Sequence, residues 1–327
     1  LKCISMIEKK SREYEIEDVF RTYGVLTREA GFYFYFSRKI RELRESGHEG
    51  TARAYASSLR SMQRYLGKKD FPFIKLSSRI ISDYQGKLLA SGICDNTIGF
   101  YLHNIKALFR KGCREMGLEL PCPFRDISIK TKKTLKRSLD PVVIKTLSAI
   151  ELEKDSPLSL ARDIFMFSFY TRGMSFVDIA LLKKRHVFPG EICYRRHKTD
   201  QLMRVGINKE ISRILERYKN VPGEYIFPLF PAERDPYAGY RNAYHRIRYS
   251  LGKISRVIGL EFPLRLHAAR HSWATIAKVN GASVHVIGEC LGHTSEKTTR
   301  IYLKELDHSA LDAVNNQVAD FILAVDD

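Results

Sequence analysis

Long apolar runs are missing from this 327-residue chain. The longest, IFMFSFY, falls far short of the about 20 residues needed to cross a bilayer. The opening stretch LKCISMIEKKSREYEIEDVF has no apolar segment of the kind found in secretory leaders, so a soluble, cytoplasmic protein with no membrane partner is expected. Cysteine is also sparse. Cys3, Cys94, Cys113, Cys122, Cys193 and Cys290 fall in no CxxC or other metal-ligand spacing, which points to reduced structural thiols and away from a disulfide scaffold. Nor is there an acidic cluster of the sort that holds Mg²⁺ in water-attacking nucleases.

Basic residues are what the chain has in excess. Lys and Arg number 55 against 37 Asp and Glu, a net charge of +18, and a field that basic attracts polyanions. Its distribution is uneven. Residues 1–27 balance at 5 against 5, residues 28–137 carry 23 against 10, and residues 138–327 carry 27 against 22. The middle segment therefore holds most of the excess, interleaved with aromatics on helical patterns, which predicts a nucleic-acid partner. With 44% apolar and 28% charged residues the composition is that of a globular protein, and the length suits about two domains.

From residue 28 the pattern is helical: FYFYFSRKIRELRESG, TARAYASSLRSMQRYLG and NTIGFYLHNIKALFRKGCREMG each repeat apolar residues at spacings of three and four and each end on Gly, the last starting from an Asn96 cap. We read residues 28–119 as a helical domain. The stretch LPCPFRDISIKTKKTLKRSLD, with two prolines and a basic run, reads as a linker over 120–137, and Lys130, Lys132, Lys133, Lys136 and Arg137 are its candidate DNA contacts. Residues 138–327 are again helical except for HVFPGEICYRRHKTDQLMRVGIN. There Pro189-Gly190 marks a turn, and Met203, Val205 and Ile207 alternate with Leu202, Arg204 and Gly206, as in a small antiparallel sheet with a second turn at Lys198 to Gln201. The tail repeats Leu311, Val314, Val318, Phe321 or Ile322, and Val325 as an amphipathic helix that packs on its own domain or on a neighbour. The expected fold is mainly α with a small antiparallel β-sheet.

Two segments carry candidate chemistry. In RLHAARHSWATIAKV, predicted helical, Leu266, Ala269, Trp273 and Ile276 lie on one side and His267, Arg270 and His271 on the other. A guanidinium between two imidazoles suits an anion, since Arg offers a planar fork to two phosphate oxygens. A zinc helix would need Glu after the first His, where the chain has Ala268, and Arg270 would repel the cation. The second segment, LGHTSEKTTRIYL, places Tyr302 at the end of a polar helix. A phenol can attack a phosphodiester and leave a covalent phosphotyrosyl intermediate that conserves the energy of the broken bond, so neither ATP nor a metal cofactor is called for. Cations and a proton donor are then needed for the charge that builds up at phosphorus and on the leaving oxygen.

H-x-x-R-H in LHAARH, then L-G-H, then Tyr nine residues after that His, resembles the C-terminal signature of the tyrosine recombinase, or phage integrase, family. The resemblance covers the chain from about residue 28 onward, including the helical basic domain, the linker and the lysine-bearing hairpin. It implies a two-domain DNA clamp with a core-binding domain and a catalytic domain. By its motifs Tyr302 resembles the nucleophile, Arg270 the second clamp arginine, His267 and His293 the histidines at the scissile phosphate, and Lys198 in RRHKTD the lysine that protonates the 5′ leaving oxygen. His271 is assigned a supporting role.

The first clamp arginine departs from the pattern. In YTRGMSFVDIALL the residue three before Asp178 is Ser175, a pair that fits a helix-capping box. Arg172 is the candidate first clamp, with Arg195, Arg196 and Arg204 on the hairpin as replacements. Arg195 and Arg196 are also candidate DNA contacts. This form resembles a branch of the family that lacks the arginine at its usual place. The resemblance implies a site-specific recombinase acting on double-stranded DNA as a tetramer, with exchange of C-terminal helices and accessory DNA-bending proteins as further partners, in integration and excision of a mobile element or in inversion. The rival readings are a type IB topoisomerase and a DNA-binding regulator without catalysis. Residues 1–27 read as an arm or as a helix that covers the clamp.

Overall fold

The computed structural model describes residues 31–129, 132, 138–230, 236–293, 295, 298–300 and 318. Tyr302, Lys130, Lys133, Lys136, Arg137, residues 1–27 and nearly all of the tail helix lie outside them. The chain divides into two compact units, Leu1–Thr134 and Leu135–Asp327. No helix among the described residues is long and apolar enough to cross a membrane.

The first unit is built from α1 (Phe32–Glu45), α2 (Glu49–Leu66), α3 (Ser78–Ala90) and α4 (Asp95–Glu115). Phe32, Tyr35, Phe36, Phe73, Tyr84 and Phe124 are fully or almost fully buried between them. The start of α1 is capped from a distance. Asp70 accepts from Tyr33 N at 2.8 Å and from Phe34 N at 2.9 Å, satisfying two of the helix's free donors. Lys39, only 8% exposed, reaches Glu115 on α4 at 2.8 Å and Glu42 at 2.7 Å, and Tyr35 Oη donates to Glu115 at 2.9 Å. Burial opposes the charge of both Lys39 and Glu115. The mutual hydrogen bonds outweigh it, holding the lysine above and the carboxyl below its ordinary value.

Two expectations need correction here. The cap of α4 is Cys94, not Asn96; Asn96 instead pairs with the Lys132 backbone, its Oδ1 accepting from Lys132 N at 2.7 Å and its Nδ2 donating to Lys132 O at 3.0 Å. Much of the stretch read as linker also packs on the helices, since Phe124 is 2% exposed and Ile127 and Ile129 lie against the same core. Prolines and a basic run set the sequence reading, but alternate apolar residues in the same stretch find a surface to cover.

In the second unit α5 (Pro141–Ala149) leads into α6 (Pro157–Tyr170), which buries Ile164, Phe165, Met166 and Phe167. An apolar run such as IFMFSFY can be helical all round only when other elements cover it. Here α8 (Lys209–Arg217), α9 (Pro236–Val257) and α10 (Leu266–Val279) all pack on α6. Asp163 on α6 is buried among them and stays satisfied by Arg217 at 2.5 Å, Arg162 at 2.6 Å and Tyr218 Oη at 2.9 Å.

The sheet comprises β1 (Val187–Phe188), β2 (Glu191–Arg195) and β3 (Leu202–Gly206), paired antiparallel in that order, with Ile192 opposite Val205 and Tyr194 opposite Met203. Those four side chains face the core, while Leu202 and Arg204 face out. Between α6 and the sheet lies the short α7 (Phe176–Ala180), and α11 (Val284–Cys290) follows α10. The fold is therefore mainly α with one small antiparallel sheet.

Candidate active site

The turn after α6 sets the site's geometry. Arg172 (φ 60°) and Gly173 (φ 76°) are both left-handed, so the chain reverses sharply at Thr171-Arg172-Gly173. Gly173 admits no side chain, because a Cβ would lie 2.5 Å from Arg270 Cγ. Its carbonyl accepts from Arg270 Nη1 at 2.7 Å. Holding Arg172 left-handed costs about 1–3 kcal/mol, strain of the kind that collects at functional positions.

Arg270, on α10, is 4% exposed. Its Nη2 donates to the carbonyl of Leu291 and lies 3.0 Å from His293 Nε2. A buried guanidinium needs such acceptors, since it loses its water on burial. His293 is delivered by the turn after α11, where Gly292 is left-handed (φ 63°) and its carbonyl accepts from Arg196 Nη1. The second ring nitrogen of His293, Nδ1, is 3.0 Å from Thr299 Oγ1. Burial, then the charges of Arg270, Arg196 and Lys198, push the His293 imidazole down to about 4, so it is neutral at physiological pH.

The hairpin turn between β2 and β3 brings the lysine. Asp178 on α7, 5% exposed, accepts from His197 N at 2.8 Å and from Ser175 Oγ at 2.6 Å. Ser175 and Asp178 therefore do not form the expected capping box: the hydroxyl caps no backbone donor and is spent on the carboxylate. That carboxylate in turn fixes the backbone next to Lys198, whose own side chain is exposed. Asp178→Ala is expected to destabilise the unit by about 1–3 kcal/mol, by leaving a backbone donor and a hydroxyl unpaired. Asp178→Asn, which can serve both neighbours, should melt close to the parent. Thermal denaturation of the two variants checks this.

The hairpin arginines separate cleanly. Arg195 turns to Asp200 at 3.2 Å and Arg204 to Glu191 at 3.8 Å, both largely exposed, while Arg196 points inward to Gly292. The buried phenol of Tyr194 on β2, raised mainly by burial and by Asp178, feels the opposing charges of Arg196, Arg270 and Arg172. One region thus gathers Arg172, Asp178, Tyr194, Arg196, Arg270 and His293, within the field of Lys198.

His267 is exposed on the first turn of α10, with its ring edge-on to His271 at 4.7 Å. Of the three residues read on one side of α10, Arg270 and His271 are buried and His267 is exposed. The helix packs on α6 and on α11. Lys132 pairs with Asp95 at 2.9 Å. Among the described residues no group of three His, Cys, Asp or Glu could hold a metal ion.

Sequence reasoning passed over Tyr194 and Thr299, and also a cleft of about 580 Å³ beside α9 lined by His245, Arg248, Tyr249, Arg256 and Arg265. A basic stripe was present to be found there. Arg241, His245, Arg248 and Arg256 recur at spacings of a helical face.

Residues 138–308 match the model of the phage integrase family, and residues 31–125 match that of the phage integrase SAM-like domain. The chain belongs to the phage integrase family, and it is a site-specific tyrosine recombinase. It is 26% identical to tyrosine recombinase XerC of Shewanella oneidensis over 66% of this chain and 70% of that protein, and 24% identical to XerD of Pseudomonas putida over 78% and 86%. Among solved structures, the fold is similar to the Tn1549 transposon integrase in complex with a circular intermediate DNA (TM-score 0.64, 15% identity, 88% of this chain and 99% of that one). It is also similar to a lambda integrase tetramer bound to a Holliday junction (TM-score 0.60, 15% identity, 93% and 86%).

Proposed function

We propose that this recombinase cuts one strand of duplex DNA through Tyr302. The phenol releases its proton to solvent as its oxygen bonds to phosphorus and the P–O5′ bond breaks, and the leaving oxygen takes a proton from Lys198, which solvent restores. A 3′-phosphotyrosyl intermediate results, which a 5′-hydroxyl from a partner strand resolves by the reverse step. Arg270 and His293, with His267 supporting, bind the scissile phosphate, and a second cation comes from Arg172 or Arg196. The observation that carries this reading is the convergence of Arg270, Arg196 and His293 on one turn, with the Lys198 charge acting on the same imidazole. For the first clamp, the left-handed backbone of Arg172 and its charge beside Tyr194 favour Arg172, and the inward bond of Arg196 favours Arg196.

The experiment is incubation of the chain with nicked suicide DNA in EDTA. A denaturant-resistant adduct whose peptide maps to Tyr302 is expected; an adduct on another residue would overturn the assignment.

The proposed clamp has residues 28–129 as its core-binding domain, since Phe124, Ile127 and Ile129 pack on those helices, 130–137 as its linker and 138–327 as its catalytic domain. Lys130, Lys132, Lys133, Lys136 and Arg137, with Arg195, Arg196 and the α9 cleft, are its phosphate contacts. If about six or more phosphates are engaged, log Kd should rise with log salt at a slope of about 5 or more, measured by fluorescence anisotropy. A flat response would argue against the clamp. The lambda integrase tetramer on a Holliday junction supports a tetramer on DNA. In that assembly the segment from Asp307 to Val325 docks on a neighbour or packs on its own subunit. The site of action is the cytoplasm, and the reaction is integration and excision of a mobile element or inversion.

A further inference from the structure

One buried polar contact of the site has no part in the roles above. Thr299 is 0% exposed and stands three residues before Tyr302 in the sequence. Its Oγ1 is 3.0 Å from His293 Nδ1, while Nε2 of the same ring is 3.0 Å from Arg270 Nη2. A guanidinium has only N–H groups to offer, so Nε2 must accept with its lone pair. The ring hydrogen of the neutral imidazole then sits on Nδ1 and donates to Thr299 Oγ1.

The approach of the hydroxyl is built into the backbone. Gly288 on α11 faces it where a Cβ would come within 2.8 Å of Oγ1, and the Gly288 carbonyl accepts from His293 N at 2.9 Å. Thr298 N and Thr299 N both donate to Ser295 O, at 3.0 and 3.4 Å, closing the helical turn that presents the hydroxyl. A hydroxyl can take either role here by turning its hydrogen. It accepts while Nδ1 carries the hydrogen. It can donate once the hydrogen moves to Nε2, the nitrogen that must face an anionic oxygen as a donor.

We propose that Thr299 is a positioning residue for strand cleavage: its hydroxyl holds the His293 ring in either neutral tautomer and so couples the segment leading to Tyr302 to the Arg270 clamp. Without DNA the ring is locked by Arg270 in the Nδ1–H form. When Arg270 turns to the phosphate, Nε2 takes a proton from solvent and Nδ1 returns one, so Thr299 reverses its hydrogen bond and His293 presents Nε2–H. The proposal rests on the recombinase reading of His293 and Tyr302.

Two measurements on the full chain test it. In ¹⁵N-histidine spectra without DNA, the signal lost in His293→Asn should show a protonated Nδ1 and an unprotonated Nε2. On suicide DNA, Thr299→Val, which keeps the shape and loses the hydroxyl, should slow adduct formation about tenfold with Kd for DNA unchanged, while Thr299→Ser cleaves within about twofold of the parent. An Nε2–H tautomer in the free chain, a Val variant as fast as the parent, or a Ser variant as slow as Val would each overturn the role. Absence of adduct from the parent chain would instead remove the Tyr302 reading, and the spectra would still decide the tautomer.

Discussion

Tyr302→Phe should abolish the covalent DNA adduct while leaving DNA affinity within about twofold of the parent. The substitution removes one oxygen, the atom that would bond to phosphorus, and no charge. Loss of a nucleophile typically lowers turnover by about 10⁴-fold or more, because water held by the remaining groups is a poor substitute. Adduct formation followed by denaturing electrophoresis, beside anisotropy for binding, separates chemistry from affinity. An adduct that persists in the Phe variant would transfer the role to another side chain. A joint loss of binding would make Tyr302 a structural residue.

Arg270→Lys is expected to have the second largest effect, lowering cleavage by about 10³-fold. The guanidinium reaches the Gly173 and Leu291 carbonyls and His293 Nε2 from two nitrogens in one plane. A lysine has a single nitrogen and cannot serve all three, nor offer a phosphate two parallel donors. The unserved carbonyls are buried, so a further loss of about 2 kcal/mol in stability is expected. Chemical denaturation and single-turnover cleavage at temperatures where both proteins are folded distinguish the two losses. Cleavage within tenfold of the parent would mean that Arg270 is only a strut between α10 and its neighbouring turns.

The architecture was largely legible because its signals are local. Helices of the first unit end on Gly47, Gly67 and Gly117, and all three glycines have positive φ. The alternation Met203, Val205 against Leu202, Arg204 set the inner face of the sheet, and the structure buries the first pair and exposes the second. What failed were local patterns answered by distant partners. Ser175 and Asp178 have the spacing of a cap, but no reading of those four residues could reveal a backbone donor at His197. Asn96 looked like a helix start, and its amide is occupied by Lys132, 36 residues on. At the site, the types and order of Arg270, His293 and Lys198 were readable from the sequence. The choice among the hairpin arginines was not. Arg195, Arg196 and Arg204 differ only in which acceptor each finds, and that depends on the side of the turn each leaves from.

The Lys39 pairing bears on how the first unit is made. Its counter-charge Glu115 and the hydroxyl donor Tyr35 join α1 to α4, across 76 and 80 residues, and Gly112 of α4 lies against Phe73 and Tyr35. A ribosome that has released only α1 to α3 therefore displays an ammonium with one of its two acids absent and an aromatic cluster with one wall open. Such a fragment has nothing to close upon until α4 emerges, so the four helices should gain protection against proteolysis together, late in synthesis, and not one after another.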